Sequence, residues 1–366
     1  MRCLRLRRAT EGISAISDFL KTMTRSLACL TWQDCRRRYR RKAVRQSWVS
    51  AAAGVGFVLA MQSGASAQTC TVTDTVMAFG TNVDVLAGAA VDTTSTLQVI
   101  CSGGSGGAGG QRICINIGAG SASDATSRQL TGPSGNKARF DLYQDAGRTT
   151  LWGSWQTGFD TGGVQLEVAR NTTTNVTVFG RFFGSQQTAV AGSYTSTFTA
   201  NPFITYADKN QAASTCPTGN LTASSSTSAT VTISSNCNIS TTALDFGTTG
   251  LLASNIDASG TISAQCNNTL PYSIGLDNGS NASGSQRRMK QGSSNFVNYN
   301  LYTDSGRTSA WTTTTSTTSC TGGTGTCVTN TGTGASQNIT VYGRVPSQSN
   351  PPQGTYSDTV LVTITF

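Results

Sequence analysis

The sequence predicts an all-β protein made of two small antiparallel sandwiches in tandem, and three observations carry that reading. The phrase "LYQDAGRTTLW" at Leu142–Trp152 returns as "LYTDSGRTSAW" at Leu301–Trp311, 159 residues later. A chain of 366 residues is long enough for two ordinary domains, so duplication is the natural source of such an echo. Only 12% of the residues are charged, about half the usual share. Gly, Ser and Thr replace them, which favours strands and turns. Finally, apolar and polar residues alternate over short runs, and no stretch after residue 67 sustains a helical period for three turns.

Residues 1–67 read as a cleaved secretory signal and are set apart from the fold. A basic run, Arg36 to Arg45, precedes the apolar stretch Trp48 to Met61 and the small-residue pattern Ala65-Ser66-Ala67. The apolar stretch is shorter than the roughly twenty residues a membrane span needs. The basic region is long for a signal, which leaves Met23 as an alternative start. This segment holds thirteen of the 26 Lys and Arg against three acids, whereas the remainder has thirteen basic and fourteen acidic residues. The net charge of +9 therefore belongs to the leader, and no basic face is left for nucleic acid.

Eight of the eleven cysteines follow the leader, an even number that suits disulfides in an oxidising compartment. None forms a C-x2-C pair, so zinc is a poor fit. The chain has no histidine, which excludes Ser-His-Asp and Cys-His catalysis and every histidine metal site. Carboxylates are too sparse for a calcium loop, and no cofactor is expected.

Taken in order, the elements repeat. "CTVTDTVMAFG" (Cys70–Gly80) answers "CNISTTALDFG" (Cys237–Gly247), with Phe-Gly nine residues after the Cys in both. Cys101 and Cys266 each close a short strand, "LQVIC" and "TISAQC". "ICINIGAG" answers "YSIGLDNG", "NVTVFGR" (Asn175–Arg181) answers "NITVYGR" (Asn338–Arg344), and "GSY" at Gly192 answers "GTY" at Gly354. At the end of the chain Val360, Val362, Ile364 and Phe366 alternate with Thr359, Leu361, Thr363 and Thr365, so the two sets occupy opposite faces of a strand. The expected division is residues 68–207, a Ser/Thr/Ala-rich linker at 208–235, and residues 236–366. Within the linker, "ATVTIS" (Ala229–Ser234) reads equally as a strand completing the first domain or as the first strand of the second.

In "LYxDxGRT" an apolar strand runs into Asp-x-Gly, so Asp145 with Arg148, and Asp304 with Arg307, read as a turn with a local ion pair rather than a catalytic pair. "GGSGGAGG" (Gly103–Gly110) lacks the Lys-Ser/Thr of a phosphate loop and reads as a flexible loop.

These anchors together resemble the spore coat protein U domain family, whose members include subunits of archaic, Csu-type chaperone–usher pili. The resemblance rests on Cys with Phe-Gly, the second Cys, "LYxDxGRT" with Trp, "VxGR" and the terminal "GTYSDTVLVTITF"; it covers residues 68–366 twice, the second copy more closely. It implies two immunoglobulin-like sandwiches, the second lacking its final strand. It also implies export to the periplasm, a periplasmic chaperone and an outer-membrane usher as partners, and a strand donated by the next subunit. Val360, Val362, Ile364 and Phe366 are then the donor-strand acceptor. Cleavage after Ala67 would leave only Gln68 and Thr69 before Cys70, too short to donate a strand in turn. The expected role is a tip adhesin at the cell surface that promotes biofilm, not an enzyme. The alternative is a secreted coat or matrix protein of the same family without a pilus.

Equivalent repeat positions suggest Cys70–Cys101 and Cys237–Cys266 as disulfides, with Cys320–Cys327 closing a local loop and Cys114–Cys216 remaining; other connectivities stay open. Aromatics specific to the first copy, Trp155, Phe159, Phe182, Phe183 and Phe203, fall in Gly-flanked segments and are expected to grip an abiotic or host surface. The alternative is that Phe183 and Phe203 turn inward. Trp152 and Trp311 match each other and read as core.

Overall fold

The computed structural model describes residues 69–73, 75–103, 111–123, 127–155, 159, 162–208, 221–312 and 326–366, without the side chains of 111, 199–208 and 221–224. All fall in one compact unit, Gly64–Phe366. The described residues contain no α-helix, and the architecture is two immunoglobulin-like sandwiches in tandem.

The first domain comprises β1 (Thr69–Val72), β2 (Thr75–Ala78), β3 (Val91–Ser102), β4 (Gln111–Ile115), β5 (Gln129–Thr131), β6 (Lys137–Tyr143), β7 (Val164–Val168), β8 (Thr172–Phe182), β9 (Gly192–Asp208) and β10 (Leu221–Ile233). One layer runs β1-β3-β8-β6-β5 and the other β7-β4-β9-β10-β2; Thr131 of β5 pairs with Thr195 of β9 and joins them into one ten-stranded sheet. Alternation builds the core: β3 points Leu97, Val99 and Cys101 inward and leaves the residues between them exposed.

The second domain repeats the plan with β11 (Cys237–Thr241), β12 (Ile256–Cys266), β13 (Pro271–Leu276), β14 (Arg287–Gln291), β15 (Asn295–Tyr302), β16 (Val328–Thr331), β17 (Gln337–Val345) and β18 (Val362–Thr365). Its first layer, β11-β12-β17-β15-β14, matches strand for strand, but its second is only β16-β13-β18. Among the described residues no strand takes the places of β10 and β2.

Residues 208–235 hold more than a linker. Strand β10 pairs antiparallel with β9 along its length and parallel with β2 over Thr227–Thr230, so Ala229–Ser234 adds to the first domain's sheet. Ala229, Val231 and Ile233 are buried in the first domain's core.

Two devices explain why the opening phrase is written twice. Asp145 accepts bonds from the Thr150 N–H at 2.7 Å and from the Thr149 N–H and hydroxyl, closing the turn; Asp304 does the same with Ser309 and Thr308. Arg148 and Arg307 hold φ of 56° and 55° there, a left-handed conformation that costs non-glycine residues energy. The expected ion pair within the turn is corrected: each Arg reaches out of it, to the carbonyl of Gly180 or Gly343 and to Asp92 or Asp257. Each turn is thereby tied to β3 and β8, or to β12 and β17.

The other device escaped the sequence reading. Arg128 and Arg287 are buried, and their guanidinium groups bond the carbonyls of Ile117, Gly118 and Trp152, or of Leu276, Asp277 and Trp311. The two Trp indoles, both fully buried, donate to Ile115 O and Ile274 O. A buried cation in each sandwich thus satisfies carbonyls that water cannot reach.

The Cys70–Cys101 and Cys237–Cys266 disulfides link the first two paired strands of each domain. Cys114 and Cys327 are also disulfide-bonded; Cys216 and Cys320, their expected partners, lie outside the described residues. Between the domains, Asn236 Nδ2 donates to Asp84 and Asn268 Nδ2 to Thr188 O.

Candidate functional site

The two domains differ most where β10 lies in the first. In the second, the corresponding space is an open groove of 380 Å³, whereas the matching void in the first domain is 10 Å³. Leu244, Phe246, Met289, Tyr299, Val360 and Val362 are among the groove's lining residues.

Both rims carry unpaired backbone. In the first domain the Phe79 N–H donates to Thr230 O and Gly80 O accepts from Thr232, so β2 is zipped to β10. The equivalent segment of the second domain, Thr242–Phe246, forms no strand, and Phe246 N–H has no backbone partner among the described residues. On the opposite rim, Ser357 pairs with Lys290, Ser280 N–H with Thr359 O, and Asp277 N–H with Leu361 O. The alternate residues Tyr356, Asp358 and Val360 make no backbone bond among the described residues, and alternation turns those groups toward the groove. Unpaired donors and acceptors beside buried apolar surface form a template for another strand.

The expected terminal strand is shorter than its pattern: only Val362–Thr365 pairs, with β13. Thr359 and Leu361 lie outside the ladder and bond Ser280 N and Asp277 instead, the Leu361 N–H donating to the Asp277 side chain. The expected face is present. Val360, Val362 and Ile364 are half-buried against the second core, Leu361 is 63% exposed, and Phe366 at the end of the row is 45% exposed.

The same opening loosens neighbouring side chains. Met77 and Phe79 of the first domain are 3% exposed, while Leu244 and Phe246, nine residues after the matching Cys or two before it, are only half-buried. Both pairs pack over a strand glycine: a Cβ on Gly180 would stand 2.9 Å from Met77 Sδ, and one on Gly343 2.9 Å from Leu244 and Phe246. The Gly of "VxGR" therefore keeps room for the Phe-Gly segment in both copies.

At one end of the groove lies a polar pair. Tyr299 Oη donates to Asp358 Oδ2 at 2.7 Å, and Asp358 Oδ1 accepts from Asn281 N at 3.1 Å and Nδ2 at 3.0 Å. Burial, and then the carboxylate beside it, raises the Tyr299 phenol above its ordinary range, so it stays a donor.

The first-domain aromatics do not form one patch. Phe182 is 1% exposed with its ring 6.0 Å from that of Phe79, and Phe159 is 8% exposed beneath the Arg128 guanidinium. The expectation that these two face solvent is corrected: Phe182 continues the inward alternation of β8, and Phe159 covers the buried cation. Phe183 is half-buried under Arg139, three residues from Gln186, close to the junction with the second domain. The Phe203 side chain lies outside the described residues. Trp155 is 38% exposed and rests on Gly162, where any side chain would collide with its indole.

Comparison with known proteins gives the chain a family. It is 35% identical over 136 residues to Protein U of Myxococcus xanthus, covering 34% of this chain and 71% of that protein. Among solved structures it is similar to the chaperone–tip adhesion subunit pre-assembly complex of the archaic chaperone–usher Csu pili of Acinetobacter baumannii. That similarity has 17% identity and a TM-score of 0.48, over 81% of this chain and 100% of that one. It is also similar to the CupB6 tip adhesin from Pseudomonas aeruginosa, at 12% identity and a TM-score of 0.38, over 82% of this chain and 94% of that one. The spore coat protein U domain matches residues 57–201 and again 223–363, and the chain belongs to that family in two tandem copies.

Proposed function

We propose that this chain is the tip adhesin of a chaperone–usher pilus, and that its second domain accepts a donated strand while its first attaches to a surface. The observation that carries this reading is the open groove of 380 Å³ in one copy against 10 Å³ in the other. A periplasmic chaperone covers the groove first, the outer-membrane usher receives the complex, and the next subunit then supplies the strand. The first domain, closed by β10, takes no part in that exchange and is free to face outward. Attachment falls to the end that carries Trp155, since Phe159 and Phe182 are buried and Phe183 lies near the junction. Such attachment, multiplied over many pili, promotes biofilm through avidity.

Periplasmic expression with and without an archaic-class pilus chaperone tests the reading. The chain is expected to be recovered in far higher yield with the chaperone, as a one-to-one complex, and Val360→Asp is expected to abolish that complex. Equal recovery with and without the chaperone, and no complex between them, would contradict it and favour a coat or matrix role.

A further inference from the structure

We infer that Asp358 and Tyr299 select the strand that fills the second-domain groove, admitting a small, hydroxyl-bearing residue where β10 carries Ala229 and excluding a large apolar one. The inference rests on the proposed function, in that the groove must take a strand at all.

Strand β10 supplies the register. It places Thr227 opposite Phe198, Ala229 opposite Ser196, Val231 opposite Tyr194 and Ile233 opposite Gly192. The shared "GSY" and "GTY" align Gly192 with Gly354 and Tyr194 with Tyr356, and hence Ser196 with Asp358 and Phe198 with Val360. The alignment is physical as well: Tyr194 Oη donates to Val190 O and Tyr356 Oη to Pro352 O, each four residues back. A strand entering the second domain in the same register runs antiparallel to Gly354–Val362 and parallel to Thr242–Phe246.

The floors under that strand differ. In the first domain Phe140 and Phe198 meet edge to face, 6.1 Å apart, beside Ser196. In the second, Phe140 is replaced by Tyr299, Phe198 by Val360 and Ser196 by Asp358. Asp358 has three hydrogen bonds, two to Asn281 and one to Tyr299, and a carboxylate offers about four acceptor sites. A Ser or Thr hydroxyl at the Ala229 position would supply the remaining bond as the strand shuts out water. A Leu there would shut water away from the carboxylate and leave that acceptor site unfilled, which is disfavoured. At the Thr227 position the exchange of Phe198 for Val360 leaves space, so a larger apolar residue fits there than in β10.

The test appends a second copy of Leu221–Ser234 to the full chain after Phe366 through a flexible linker as long as residues 209–220. Thermal unfolding of the second domain is then followed for grafts carrying Ala, Ser or Leu at the Ala229 position. The Ala graft is expected to raise the midpoint over the ungrafted chain, and the Ser graft to match or exceed it. The Leu graft should fall about 5 °C or more below the Ala graft. Pairing the Leu graft with Asp358→Ser in the acceptor should recover most of that loss, which separates selection from a misfolded graft. A Leu graft as stabilising as the Ala graft, or a loss unchanged by Asp358→Ser, would overturn the selection. Failure of every graft to stabilise the domain would overturn the proposed function, and the selection with it.

Discussion

The two domains share a plan down to individual bonds and differ at β10 and β2, which have no counterpart among the second domain's described residues. Arg128 and Arg287, Trp152 and Trp311, Asp145 and Asp304 occupy equivalent places with equivalent partners. Strand β10 alone separates a closed sandwich from an open one, and its effects spread to side chains on both sides. Beside it β2 is a strand and Phe79 is buried; without it Thr242–Phe246 forms no strand and Phe246 is half-buried. The lesson is that the groove is a local opening beside an otherwise intact core.

The sharpest way to break that comparison is to damage each groove from within. Val231 in β10 is 1% exposed, so Val231→Asp buries a charge and should cost more than about 4 kcal/mol. Val360→Asp, on a half-buried rim, should cost the free chain about 1 kcal/mol while abolishing strand capture. Denaturant unfolding of both variants measures this; equal losses would mean that the second groove is not open in solution.

Much of this was legible in the sequence because the repeat is regular. Alternation located the strands, and the paired cysteines located two disulfides, since Cys70 and Cys237 occupy the same position beside Cys101 and Cys266. Ala229–Ser234 could not be assigned, because alternation says which face is buried but not against which neighbour. The buried Arg128 and Arg287 were missed because arginine reads as a surface residue and its carbonyl partners are set by loop geometry. The Phe182 ring was misplaced because flanking glycines suggested a loop where β8 continues its inward alternation.

If the shared core is as equivalent as its bonds, the arginine variants should match. Arg128→Ala and Arg287→Ala each strand buried carbonyls and should each cost about 3–5 kcal/mol. A difference above about 2 kcal/mol, on the same denaturant scale, would show that the open groove weakens the second core.

The disulfides should also behave alike, closing loops of sequence separation 31 and 29. Replacing Cys70 and Cys101 by Ser, or Cys237 and Cys266, should cost about 3 kcal/mol in either domain. Thermal unfolding of the two double variants checks this.

The smallest expected effect is on acid stability. The Arg181 guanidinium lowers the Asp92 carboxyl below its ordinary value, and Arg344 does the same for Asp257. A depressed folded-state value means that this stability is present above the unfolded carboxylate value of about 4 and fades as pH falls through the folded one. These pairs are solvent-screened, so Asp92→Asn and Asp257→Asn should each cost up to about 1 kcal/mol at pH 7 and progressively less below pH 4.

Amide hydrogen exchange of the full chain, free and then with a donor-strand peptide added, distinguishes an open second groove from a closed one. Residues 75–79 and 192–198 should be protected in both states, whereas the amides of 243–246, Tyr356, Asp358 and Val360 should exchange fast when free and slowly once the strand is bound. Protection of these amides in the free chain equal to that in the bound one would contradict an open groove.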